Sequence, residues 1–207
     1  MKTRRTIMRK LKNNTIKSSR KSQPNKDASK LKAKSESIAL HVLKDIQIIG
    51  AEVGVHRGKL SRELFKLIPG LKLFMIDIWS DKSYPDNDDT AAAPKYRDLY
   101  RNHWKENMDA ARDAVRDCNA ELIRADSITG AEHFEDASLD FVFLDADHSY
   151  EAVKKDIATW LPKIKPGGLM SGHDYERKGK FGVQKAVDEI FGDRVIRGGN
   201  NTWFVGV

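Results

Sequence analysis

A chain of 207 residues, 40% of them hydrophobic, suits one compact domain with an appended segment and is short for two. Its single cysteine, Cys118, excludes an intrachain disulfide. No apolar run nears the ~20 residues of a membrane helix and no secretory signal stretch opens the chain, so a cytoplasmic location is expected. The net charge of +7 is unevenly spread: residues 1–35 carry 13 Lys and Arg against one acid, Asp27, a charge of +12 that leaves −5 on the remainder.

Residues 1–34 are rich in Lys, Arg, Ser and Asn and poor in large apolar side chains. Such a segment buries too little surface to offset its ordering entropy, so a disordered basic tail is expected, with residues 35–207 as the folded domain. The tail serves either solubility or contact with a polyanion. A short helix is predicted over Ser35–Lys44 and a strand over the apolar run Ile46–Val55. Leu60, Leu64 and Leu67 share one helical face, predicting a helix over Arg57–Ile68 that stops at Pro69-Gly70. A strand follows at Leu71–Ile78, then an aspartate-rich loop over Ser80–Pro94. Tyr96, Tyr100, Trp104, Met108, Ala111 and Val115 recur at helical spacing and predict a long helix. Strands are then expected at Glu121–Ala125, Leu139–Leu144 and Gly168–Gly172. A helix through Val153, Ile157 and Trp160 separates the last two, and another passes through Val183, Val187 and Phe191. Arg194–Ile196 and Thr202–Val207 read as a terminal β-pair. Strands alternating with helices predict a Rossmann-like, doubly wound α/β sheet, mostly parallel with a C-terminal antiparallel pair and helices on both faces.

Such sheets bind ligands at the carboxyl ends of their strands. The first strand ends in Glu52-Val-Gly-Val-His-Arg-Gly58. A dinucleotide fingerprint would not place a carboxylate two residues before its glycine, because it would face a pyrophosphate. A cationic ligand suits Glu52 better. Asp77 closes the second strand, where an acid can accept both hydroxyls of a ribose. Asp126-Ser127 closes the third, where the acid either meets an adenine amino group or caps the next helix. The fourth strand runs into Asp145, Asp147 and His148, and the fifth into His173 and Asp174. Grouped carboxylates repel and lose hydration, so two converging acid and histidine clusters point to function rather than stability.

The motifs Glu52-Val-Gly-Val-x-x-Gly58, Met75-Ile-Asp-Ile-Trp79, Phe141-Val-Phe-Leu-Asp-Ala-Asp-His-Ser-Tyr150, Ile164-Lys-Pro-Gly-Gly168 and His173-Asp-Tyr175 together resemble the class I S-adenosylmethionine-dependent methyltransferases. More narrowly, they are similar to the small bacterial O-methyltransferase-like group allied to macrocin and catechol O-methyltransferases. The resemblance spans about residues 36–207 and implies S-adenosylmethionine as cofactor. It carries a cofactor-binding role to Glu52, Gly54, Val55 and Gly58, to Asp77 and Ile78, to Asp126 and Ser127, and to Asp145. Metal-dependent members hold a divalent ion with acids at the ends of the fourth and fifth strands. By that match Asp145, His173 and Asp174 are the metal candidates, with Mg²⁺ the expected ion. The chain departs in having His56 where many members have Gly and His173 where the metal-dependent ones have Asp.

The expected reaction is methylation of a hydroxyl on a small molecule or glycan. Two routes activate the alcohol: a divalent ion on Asp145 and Asp174, or a general base supplied by His148 or His173. The alternatives are an RNA methyltransferase using the basic tail and a non-catalytic S-adenosylmethionine-binding module. A homodimer is compatible with all of these.

Overall fold

The computed structural model describes residues 26–42, 47–82, 95, 97–176 and 181–207. The tail up to residue 25 and most of the aspartate-rich loop lie outside the described residues.

Seven strands form one sheet in the order β3-β2-β1-β4-β5-β7-β6. β1 is Ile48–Val53, β2 Leu71–Asp77, β3 Ala120–Arg124, β4 Leu139–Leu144 and β5 Ile164–Gly172. These five run parallel. β6 (Ile196–Arg197) and β7 (Trp203–Gly206) form the expected antiparallel pair, with β7 docked on β5. The central strands read as continuous apolar runs because both faces are covered. In β4, Phe141 and Phe143 point to one face while Val142 and Leu144 point to the other, and all four are buried.

Helices α1 (Lys26–Val42), α2 (Lys59–Leu67) and α3 (Trp104–Ala114) cover the Phe141 face. Helices α4 (Ser127–Ala131), α5 (Tyr150–Trp160) and α6 (Val183–Phe191) cover the other. The fold is the doubly wound one expected. Where a long helix through Tyr96 was predicted, a π-helical turn over Arg97–Asn102 precedes α3. Buried Asn107 explains part of that turn, because its amide donates to the Leu99 carbonyl at 2.7 Å instead of leaving the backbone to bond itself.

One expectation needs correcting. α1 begins at Lys26, so residues 26–34 are helical rather than part of a disordered arm. Ser35, Ile38, Ala39 and Val42 are buried on the sheet, and Leu31 packs against the same cluster. These residues repeat at helical spacing from Leu31 onward, and the packing of that stripe outweighs the lysine-rich composition around it. Ser37 pins the helix from the side, its Oγ accepting from the Gly199 amide at 2.9 Å.

The candidate active site

The strand order reverses direction between β1 and β4, so the turns after these two strands diverge and leave a crevice. Gly54 and Asp145 face each other there. The Asp145 amide donates to the Val53 carbonyl at 2.7 Å, continuing the β1–β4 ladder to the crevice floor. Gly54 has φ +90, and a Cβ on it would lie 2.2 Å from the Asp145 carbonyl oxygen. Only glycine meets both demands. Gly58 serves packing instead: at φ +67 it starts α2, and a Cβ there would press within 3.1 Å of the Ala111 backbone in α3.

Glu52 is enclosed beneath the turn. It is 2% exposed and its Oε2 accepts from Ser61 Oγ at 2.6 Å. Burial pushes its carboxyl up to about 8, against the opposing pull of Ser61 and Lys34. Val55 is buried in the core, so only its backbone faces the turn. Asp77 is bound by that turn: Oδ2 accepts from the His56 amide at 2.7 Å and Oδ1 from the Trp79 amide at 3.0 Å. Burial raises the Asp77 carboxyl in spite of these bonds. Ile78 beside it is 36% exposed and offers an apolar ledge.

Trp79 was not picked out as a site residue by sequence reasoning. It is 2% exposed, and its indole Nε1 donates to the His56 carbonyl at 2.8 Å, tying the end of β2 to the glycine turn. His56 sits in the left-handed region at φ 56 with its ring against Tyr100, and burial lowers its imidazole to about 4.

At the end of β3 the cap is realised. Asp126 Oδ1 accepts from the Ile128 and Thr129 amides at 2.9 and 3.0 Å, and Oδ2 from Thr129 Oγ1 at 2.7 Å. These bonds hold its carboxyl below the ordinary range. Ser127 accepts from the buried Trp160 indole at 3.1 Å, which fixes α4 against α5.

The ends of β4 and β5 converge as expected. His148 Nε2 lies 3.4 Å from Asp145 Oδ1 and 3.2 Å from Asp174 Oδ2. His173 Nδ1 lies 3.3 Å from Asp145 Oδ1 and 3.2 Å from Asp174 Oδ1. Asp174 is buried and adopts φ 57, in the left-handed region. The other His173 nitrogen, Nε2, is 3.2 Å from the Asn200 amide nitrogen. A donor there needs an unprotonated Nε2, which places the His173 proton on Nδ1, facing the carboxylates. Burial alone would raise Asp145, but Lys34 and the two histidines overcome it and hold the carboxylate well below its usual range. His148 is raised: the two carboxylates outweigh the effect of burial.

Lys34 was assigned to the tail, yet it is a site residue. Its Nζ donates to Asp145 Oδ2 at 2.7 Å and stands 5.4 Å from the centre of the Phe143 ring. The signal that would have found it is position: Lys34 precedes Ile38 by one helical turn.

The candidate metal set also changes by one member. The donor atoms that lie within 4.8 Å of one another belong to Asp145, His148 and Asp174. His173, proposed in place of His148, approaches the same carboxylates but is shared with Asn200. The set does not fit Mg²⁺. That ion takes oxygen ligands, whereas the cluster offers imidazole nitrogen between two carboxylates and an ammonium already holds Asp145.

The doubly wound sheet and a crevice at its β1–β4 reversal define a Rossmann-like ligand-binding domain. A family described as a methyltransferase domain matches residues 51–175, and the chain belongs to it. That class takes S-adenosylmethionine as methyl donor. The chain is similar to an uncharacterized protein, y4gI, of Sinorhizobium fredii (strain NBRC 101917 / NGR234), 35% identical over 70 residues. That match covers 33% of this chain and only 8% of the length of the curated relative. Among solved structures, the O-methyltransferase NovP superposes with a TM-score of 0.57 at 18% identity, over 84% of this chain and 79% of that one. CalS11, a TDP-rhamnose 3'-O-methyltransferase of calicheamicin biosynthesis, superposes with a TM-score of 0.52 at 14% identity, over 86% and 79%. Among the described residues, no helix is long and apolar enough to cross a membrane.

Proposed function

We propose that this domain transfers a methyl group from S-adenosylmethionine to a hydroxyl oxygen of a small molecule or glycan. The observation that carries the reading is the cluster at the ends of β4 and β5, in which two imidazoles lie within 3.4 Å of two carboxylates beside the glycine turn. Two O-methyltransferases among the structural neighbours, one named for a sugar-nucleotide acceptor, support the choice of oxygen.

The crevice fits the donor. Gly54 lets the turn close onto the Asp145 backbone, where a Cβ would collide, and Asp77 stands at the end of β2 beside that turn, where its carboxylate can accept ribose hydroxyls. Ile78 provides an apolar rim for the adenine. Glu52 stands behind the turn, where its raised carboxyl is largely protonated near neutral pH, and a cation bound in the turn would favour its ionisation.

When bound, the donor supplies an electrophilic methyl group on a sulfonium. The chain's residues align the acceptor hydroxyl and remove its proton as the new C–O bond forms, while the electron pair of the breaking S–C bond stays on sulfur. His148 is the better base. Its Nε2 faces both carboxylates, which keep a proton on that nitrogen, leave Nδ1 to accept the hydroxyl proton and stabilise the imidazolium that results. His173 is held in one tautomer between Asn200 and the carboxylates and serves to position them. The upward shift of His148 means that activity should fall on acidification above the ordinary histidine range near pH 6.5.

The test is methyl transfer to a panel of phenols, sugars and nucleotide sugars, with calorimetry of the donor. His148→Gln should lose about 10²–10⁴-fold in rate while binding the donor normally. Asp77→Asn should weaken donor binding by roughly tenfold. Donor-independent behaviour, or a His148→Gln enzyme as fast as wild type, overturns the reading.

A further inference from the structure

The cluster at the ends of β4 and β5 already contains a cation. Lys34 is 8% exposed, and its ammonium takes Asp145 Oδ2 while both histidines take Oδ1, so the carboxylate is divided between them. The helix that delivers the ammonium is anchored. One turn beyond Lys34, Ile38 and Ala39 are fully buried against the sheet, and Val42 follows on the same face. The backbone that carries the ammonium is therefore fixed beside the cluster.

We propose that Lys34 is the resident cation of the methyl-transfer site, a positioning residue that takes the charge-compensating place of a divalent ion and makes the chemistry metal-independent. The inference rests on reading the cluster as the transfer site. Two independent grounds support it. The donor set contains imidazole where Mg²⁺ chemistry wants oxygen. The fixed ammonium lies 2.7 Å from the carboxylate that any ion in the cluster would share, and a divalent ion there meets like-charge repulsion. Lys34 holds Asp145 ionised without touching the acceptor. Asp145 can then orient His148, and the ammonium's field favours negative charge developing on the attacking oxygen.

The experiment is calorimetric titration of the full chain with Mn²⁺, in the presence of S-adenosylhomocysteine, for wild type, Lys34→Gln and Lys34→Arg. The wild type and Lys34→Arg should show no saturable Mn²⁺ binding below millimolar concentration. Lys34→Gln should bind the ion at least tenfold more tightly. Micromolar Mn²⁺ binding by the wild type overturns the proposal whether or not the variants fold, and so does equal Mn²⁺ affinity in wild type and Lys34→Gln. S-adenosylhomocysteine binding to the wild type is measured in the same series. Its absence would instead sink the methyltransferase reading, leaving the two failures distinguishable.

Discussion

Two residues at the floor of the crevice carry opposite demands. Glu52 is buried, and its carboxyl is raised from 4.5 to about 8. A group whose folded pKa exceeds its unfolded one binds more protons when folded, so stability falls as pH rises between the two values. Below about pH 4.5 both states are protonated and the contribution is complete, and it declines until about pH 8, where the folded group has also ionised. Glu52→Gln should remove this slope, so that its melting temperature overtakes that of the wild type between pH 5 and pH 8. Parallel melting curves across that range would show that Glu52 is not the source. At Gly54 the demand is steric. Gly54→Ala combines φ +90 with an approach of 2.2 Å to a backbone oxygen. The strain alone exceeds about 1 kcal/mol, and the collision adds to it. Donor affinity should fall at least tenfold with a clear loss in melting temperature, measured by calorimetry and thermal unfolding.

At the scale of elements, α1 decides where the domain begins. Residues 1–25 and 1–34 are different truncations. The second removes two turns of α1, including Leu31 and the Lys34–Asp145 pair at 2.7 Å. Breaking a largely buried pair leaves a carboxylate uncompensated, so about 2–4 kcal/mol should be lost, visible as a melting temperature lower by roughly 4–16 °C. Removal of residues 1–25 should leave melting and donor binding unchanged. If both truncations melt alike, α1 before Ser35 is not part of the fold. The sheet was legible in the sequence because most of its parallel strands carry an apolar run that leads into a polar residue: Glu52, Asp77, Asp145 and His173 were found that way. The start of α1 was not, since Leu31 is its only large apolar residue before Ile38 and lysines surround it. The role of Asp126 was left between two choices, and cap geometry resolves what it does within the chain. Trp79 could not be assigned from the sequence because its partner, the His56 carbonyl, is 23 residues away and is brought close only by the β1–β2 register.

Across the whole molecule, charge and topology act together. The acidic domain gathers its carboxylates at the carboxyl edge of the sheet, and the basic N-terminal region returns one of its lysines to that edge through α1. The β1–β4 reversal also places the glycine turn, proposed to hold the donor, in contact with Asp145, proposed to organise the acceptor end. The Asp145 amide bonds to the Val53 carbonyl, and Gly54 touches the Asp145 carbonyl. Neither turn can shift by an ångström without moving the other. The affinities of the two ligands are therefore thermodynamically linked, and the linkage is reciprocal: whatever the donor does for the acceptor's hold on the site, the acceptor does equally for the donor's. A ligand that fixes one half of the crevice would leave less of the shared backbone to be ordered by the other, so each should tighten the other's binding.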